Sequence, residues 1–117
     1  MATKVLEATV RQAGAVAVIE LRGEIDSFGE DVLNTAYKQA EAQNPKSVLL
    51  NFTGVDYINS TGIALIVGLL AQARKAGRRL LTTGLSSHYV EIFQITRLAD
   101  FMNIFPDEAS ALAQSAA

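Results

Sequence analysis

Six consecutive residues, Ser47-Val48-Leu49-Leu50-Asn51-Phe52, leave almost no polar face, and they constrain the fold more than any other stretch of the chain. A strand with one wet face alternates apolar and polar residues. A short run that does not alternate fits a strand covered on both sides, the condition of a central strand in a mostly parallel sheet. Helices must then supply the cover, and the flanking sequence predicts them.

Val32, Leu33, Ala36, Tyr37 and Ala40 recur at helical spacing and predict a helix over about residues 28–42, with Asp26 or Ser27 as cap and Asn44-Pro45 as stop. Residues 53–59 read as a connecting loop. A second helix opens at Ser60 and runs to about Ala76, with Ile63, Ile66, Val67, Leu70 and Ala73 on one face and Gly77 as its C-terminal signal. Residues 79–83 read as a third core strand. Gly84-Leu85-Ser86 reads as a turn, and Ser86 or Ser87 caps a short helix ending at Ile95. A last short strand over residues 101–105 precedes a helix over residues 108–115, with Ala109, Leu112 and Ala113 facing in. Upstream, residues 4–11 and 15–21 flank a turn at Gln12-Ala13-Gly14, and Gly23 closes the second of these strands. That pair reads as a hairpin, so the first strand is antiparallel to the second.

The element order is β-β-α-β-α-β-α-β-α. It predicts an α/β fold: a mixed, mostly parallel sheet of about five strands with right-handed crossovers and about four helices. At 117 residues, half of them hydrophobic, the chain can bury one full core, so residues 1–117 read as a single domain with fraying expected at Gln114 and beyond.

Several function classes fall away on composition. There is no cysteine, hence no disulfide framework, thiol nucleophile or thiolate metal site. The net charge of −2 comes without a basic stripe, which argues against direct nucleic-acid binding. No run is long enough to cross a bilayer, and Met1-Ala2-Thr3-Lys4 lacks a signal-peptide core, so the expected location is the cytoplasm. The one histidine, His88, has no partner carboxylate pair in sequence and reads as a surface residue; no metal or cofactor is expected. Asn59-Ser60-Thr61-Gly62 is not a Gly-x-Ser-x-Gly elbow, so a hydrolase at Ser60 would lack both its turn and an oriented base. Phosphate-binding glycine motifs are absent, and Gly62 and Gly84 read as helix-start and turn glycines.

Asn59, Ser60 and Thr61 remain. All three are good N-caps, and that role alone accounts for them. Two hydroxyls at an exposed helix start also admit phosphorylation, since a phosphate there meets free amides and the positive end of the helix dipole. It adds about −2 charge to the surface. Asp26, after a strand that enters a helix, reads as a cap or turn residue. It becomes a neighbour of Ser60 if the two strands are parallel and adjacent.

The stretch Val48-Leu49-Leu50-Asn51-Phe52 followed by Val55-Asp56-Tyr57-Ile58-Asn59-Ser60-Thr61-Gly62-Ile63-Ala64 resembles the strand, loop and helix start of bacterial STAS-domain anti-sigma factor antagonists. Gly23-Glu24-Ile25-Asp26, Gly77-Arg78-Arg79-Leu80 and Phe93-Gln94-Ile95-Thr96-Arg97-Leu98 match in order and spacing, so the resemblance spans essentially the whole chain. It implies a STAS fold and a binding protein that is not an enzyme. In that family the unphosphorylated antagonist binds an anti-sigma factor that is also a serine kinase, and so frees a sigma factor. Phosphorylation of the first hydroxyl residue ends binding, and a phosphatase resets it. The resemblance makes Ser60 the acceptor, with Thr61 the adjacent candidate, and Asp26, Asn59, Ser60, Thr61 and Gly62 the partner-binding set. Asn59 departs from the family's usual Asp, keeping size and capping ability but losing a charge. Ile63 and Ala64 replace Leu and Gly. The alternative within the family is a subunit of a stressosome-like scaffold or a lipid-transport complex, with no phosphorylation switch.

Overall fold

In the computed structural model, which describes residues 4–116, five strands form one sheet in the order β1-β2-β3-β4-β5. They are β1 (Glu7–Ala13), β2 (Val16–Ile25), β3 (Ser47–Ile58), β4 (Arg79–Thr83) and β5 (Asn103–Phe105). β1 is antiparallel to β2 and every later pair is parallel. The helices are α1 (Glu30–Glu41), α2 (Ser60–Lys75), α3 (Ser87–Ile95) and α4 (Glu108–Ala116). This is the mixed five-stranded, four-helix α/β architecture that the STAS resemblance implies, with β3 at the centre of the sheet.

The run in β3 is apolar because the sheet is covered twice. Val48, Leu50 and Phe52 join Ala17, Ile19, Leu21 and Leu80 under α1, α2 and α3, against Leu33, Tyr37, Ile66, Leu69 and Phe93. Leu49 points the other way with Val16, Val18 and Leu81, under Ala111 of α4. An Arg11–Glu108 ion pair ties α4 to β1. The period of two in β2 and β3 thus divides one apolar run between two cores.

Several boundaries differ from the sequence reading. Gly23 does not close β2. It sits inside the strand at φ +100, where an added Cβ would lie 2.5 Å from the Val5 carbonyl oxygen. The register shifts on either side of it, at Glu20/Arg22 and Gly23/Glu24, and β2 continues to Ile25. Residues 53–58 are strand rather than loop, because the prolonged β2 gives them a partner: Arg22 pairs with Gly54, Glu24 with Tyr57 and Ile25 with Ile58. The hairpin turn is Gly14-Ala15, and β1 starts at Glu7. A 3₁₀ turn, Ser27–Gly29, precedes α1. A second one, Leu98–Asp100, precedes the shortened last strand. On α2 the buried face is Gly62, Ile66, Leu69, Leu70 and Ala73, and Val67 is exposed. On α4, Ala111 faces in, whereas Ala109 and Ala113 are exposed. α4 stays helical through the segment expected to fray; Ala117, like Met1–Thr3, lies outside the described residues.

Candidate functional site

β2 and β3 run side by side and end together, and each passes at once into a helical turn. Ile25 pairs with Ile58. One residue on, the Asn59 amide donates to the Ile25 carbonyl oxygen at 3.2 Å. The parallel pairing therefore brings Asp26 and Ser60, which are far apart in sequence, to one end of the sheet.

Each strand end carries a cap. Asp26 is extended (φ −142, ψ −169), and its carboxylate accepts from the Phe28 amide at 3.0 Å. The Gly29 amide donates to the Asp26 carbonyl at 3.0 Å, completing the 3₁₀ turn. Asn59 is extended as well (φ −90, ψ −178), and its side-chain oxygen accepts from Gly62 N at 2.8 Å. Its own carbonyl takes the Ile63 amide at 2.9 Å. Asn59 is thus the N-cap of α2, and an Asn side chain offers the carbonyl oxygen that the cap needs. The substitution of Asn for the family's Asp leaves helix initiation intact and removes one negative charge from the site.

With Asn59 as cap, Ser60 and Thr61 occupy the first two helical positions. Both are exposed, and neither hydroxyl makes a hydrogen bond among the described residues. Their amides are among the first four of the helix, which have no intrahelical acceptor. No acidic side chain lies in the first turn of α2. Gly62, by contrast, is buried: an added Cβ would lie 2.1 Å from the Ile25 carbonyl oxygen. Its part in the site is to let the start of α2 press against the end of β2.

Two residues here escape a reading of the sequence. The buried Tyr89 hydroxyl, on α3, accepts from the Ile58 amide at 2.9 Å and so fastens the last residue of β3 before the Asn59-Ser60 junction. A tyrosine on a short helix gives no local sign of a bond across 31 residues. Phe28, in the 3₁₀ turn beside Asp26, is 87% exposed. His88 is exposed at the start of α3, its ring edge-on to Tyr89, and it makes no hydrogen bond to Ser60. Among the described residues no cluster of three or more His, Asp or Glu could hold a metal ion, and no helix is long and apolar enough to cross a membrane.

The chain resembles known proteins both in sequence and in fold. It is 27% identical over 86 residues to the anti-sigma-B factor antagonist of Staphylococcus aureus (strain NCTC 8325 / PS 47), a match covering 74% of this chain and 80% of that protein. The crystal structure of an anti-sigma factor antagonist from Mycobacterium paratuberculosis has a TM-score of 0.75 at 19% identity, covering 93% of this chain and 92% of that one. The Bacillus cell fate determinant SpoIIAA in its phosphorylated form has a TM-score of 0.71 at 20% identity, covering 92% and 98%. At these identities the structural likeness shows a shared fold. Residues 7–111 match the STAS domain, and the chain belongs to the STAS domain family.

Proposed function

We propose that this chain is an anti-sigma factor antagonist controlled by phosphorylation at Ser60. In the unphosphorylated state it binds an anti-sigma factor that is also a serine kinase, through Asp26, Asn59, Ser60 and Thr61, and thereby frees a sigma factor in the cytoplasm. The observation that carries the reading is the uncommitted Ser60 hydroxyl. It is exposed at the first position of a 16-residue helix whose cap is supplied by its neighbour. A kinase can take that hydroxyl without breaking any bond of the fold. The names of the curated relatives support the same reading.

The switch is electrostatic. A phosphate on Ser60 adds about −1.5 to −2 charge at the start of α2, whose first turn holds no acidic side chain, at the same end of the sheet as the Asp26 carboxylate. The first amides of α2 hold the phosphate in place. A partner surface matched to the neutral hydroxyl meets like charge or loses solvation, and dissociates. A phosphatase that removes the phosphate restores binding.

The test is intact-mass spectrometry of the purified chain incubated with ATP and each anti-sigma-type serine kinase from the same genome. The expected result is one phosphate, lost in Ser60→Ala and retained in Thr61→Ala. Ser60→Ala stays folded and binds the kinase, because the helix keeps its Asn59 cap. Ser60→Asp binds more weakly. Absence of both phosphorylation and complex formation with every such kinase would overturn the proposal and favour the scaffold or transport-subunit role.

A further inference from the structure

We propose that Phe28 is the apolar anchor of the partner interface, inserted into a pocket of the same anti-sigma kinase that acts on Ser60; the inference rests on the function proposed above. Phe28 is the most exposed large hydrophobic residue among those described, at 87%. Burying a phenylalanine is normally favourable, and this fold gains little of that benefit.

The turn that carries Phe28 is held from both sides. The Phe28 amide is bonded to the Asp26 carboxylate at 3.0 Å, and the Gly29 amide to the Asp26 carbonyl at 3.0 Å. Gly29 is buried, so close to the core that an added Cβ would lie 2.8 Å from the Leu6 side chain. With its neighbours pinned, the ring stands outward on a fixed base, and little ordering entropy remains to be lost on docking. Aromatic residues that fill a partner's pocket in this way dominate binding energy at interfaces.

The position of the ring decides which partner it serves. The 3₁₀ turn packs against α2, and Asp26 leads directly from the Ile25–Ile58 pair that ends in Asn59-Ser60. The Phe28 amide is bonded to the Asp26 carboxylate, so a protein that covers Asp26 reaches the turn that carries Phe28. This arrangement couples the anchor to the switch. An apolar pocket closed over Phe28 excludes water from the rim where a Ser60 phosphate would sit, and a doubly charged group cannot be desolvated there. The apolar contact supplies affinity, and the adjacent hydroxyl decides whether that contact can form.

The chain has no tryptophan, so Phe28→Trp introduces a single indole fluorophore at the anchor. The partner used is the kinase that phosphorylates Ser60 in the mass-spectrometric experiment. The expected result is a blue shift of the indole emission on adding that kinase, after subtraction of the kinase signal, and no shift in phosphorylated protein. Phe28→Ala should weaken binding at least tenfold, with a melting temperature unchanged from wild type; Phe28→Tyr should keep most of the affinity. A Phe28→Ala protein binding within twofold of wild type, or an indole emission from Phe28→Trp unmoved in a formed complex, would overturn the anchor and leave the Ser60 switch standing. A wild-type chain that neither binds nor is phosphorylated by any such kinase overturns the proposed function, and the anchor with it.

Discussion

Gly62 and Gly68 lie on the same helix, and the same substitution at each should have opposite effects. At Gly62 an added Cβ would sit 2.1 Å from the Ile25 carbonyl oxygen and 2.8 Å from its carbon, where ordinary contact begins at 3.4 Å. The Ile25 carbonyl must then retreat by about 1 Å, which is overpacking against backbone and costs about 1–3 kcal/mol. That carbonyl accepts the Asn59 amide at 3.2 Å, so its retreat also loses a hydrogen bond worth about 1 kcal/mol. Ala returns up to about 1 kcal/mol in helix propensity. The net loss is about 2 kcal/mol. With an unfolding entropy of about 2.1 cal/mol/K per residue, a domain of this size shifts its melting temperature by about 4 °C per kcal/mol. Gly62→Ala should melt about 8 °C below wild type in a thermal scan followed by circular dichroism. At Gly68 nothing lies within 4 Å of the added atom. There Ala should stabilise by about 0.5–1 kcal/mol and raise the melting temperature by a few degrees. A Gly62→Ala protein melting within about 2 °C of wild type, beside a Gly68→Ala protein that is stabilised as expected, would refute the steric argument for the β2–α2 junction.

Other perturbations test other parts of the site and fold. Tyr89→Phe leaves the buried Ile58 amide without its 2.9 Å acceptor, and should cost about 1–3 kcal/mol and speed amide exchange at Ile58 by the corresponding factor. Burial pushes the Tyr37 hydroxyl above the usual tyrosine range, Glu41 adds to this, and Arg78 opposes it. A raised folded-state value means stability that is full below about pH 10 and lost as pH rises through the folded value; Tyr37→Phe should abolish that alkaline loss. Because the Tyr37 hydroxyl has no hydrogen-bond partner among the described residues, the same variant should be as stable as wild type at pH 7, or up to about 1 kcal/mol more so. Asp107 accepts from the Ser110 amide at 2.8 Å, and this bond holds its carboxyl below the ordinary value. A lowered folded-state value means stability present above about pH 4 and lost as pH falls through the folded value, so the Ser110 amide resonance should titrate there and Asp107→Asn should remove the dependence.

Much of the site is legible in the sequence because capping is local chemistry. Residue type and position mark Asp26, Asn59 and Ser86 as cap candidates, and each accepts the backbone amide that such a cap requires. The meeting of Asp26 with Ser60 needs only one further step, the parallel adjacency of two strands. Phe28 misleads in sequence, because it stands four residues before Val32 and reads as the start of the α1 stripe; it is exposed because residues 27–29 form a 3₁₀ turn ahead of the helix. On α4 the inward face differs from the expected one because the segment is mostly Ala and Ser, and small residues give a weak periodic signal.

The alternation of strands and helices, the central place of residues 47–52, the start of α2 at Ser60 and the antiparallel first strand are all written in the chain. Each of these depends on interactions within a few residues or on an apolar run with one stable placement. The extent of β2 and β3 and the bonds that hold the site together come from long-range packing. Residues 53–58 alternate only weakly, through Val55 and Tyr57, with Gly54 and Asp56 as poor strand formers between them, and they become strand because β2, bulged around Gly23, lies alongside them. The Asn59 cap that leaves Ser60 and Thr61 free is local, but the junction carrying it is fixed by an Ile25 carbonyl and a Tyr89 hydroxyl from distant parts of the chain. A strand's length and a helix start's tilt are set by what pairs with them, and that information is carried by the partner segments.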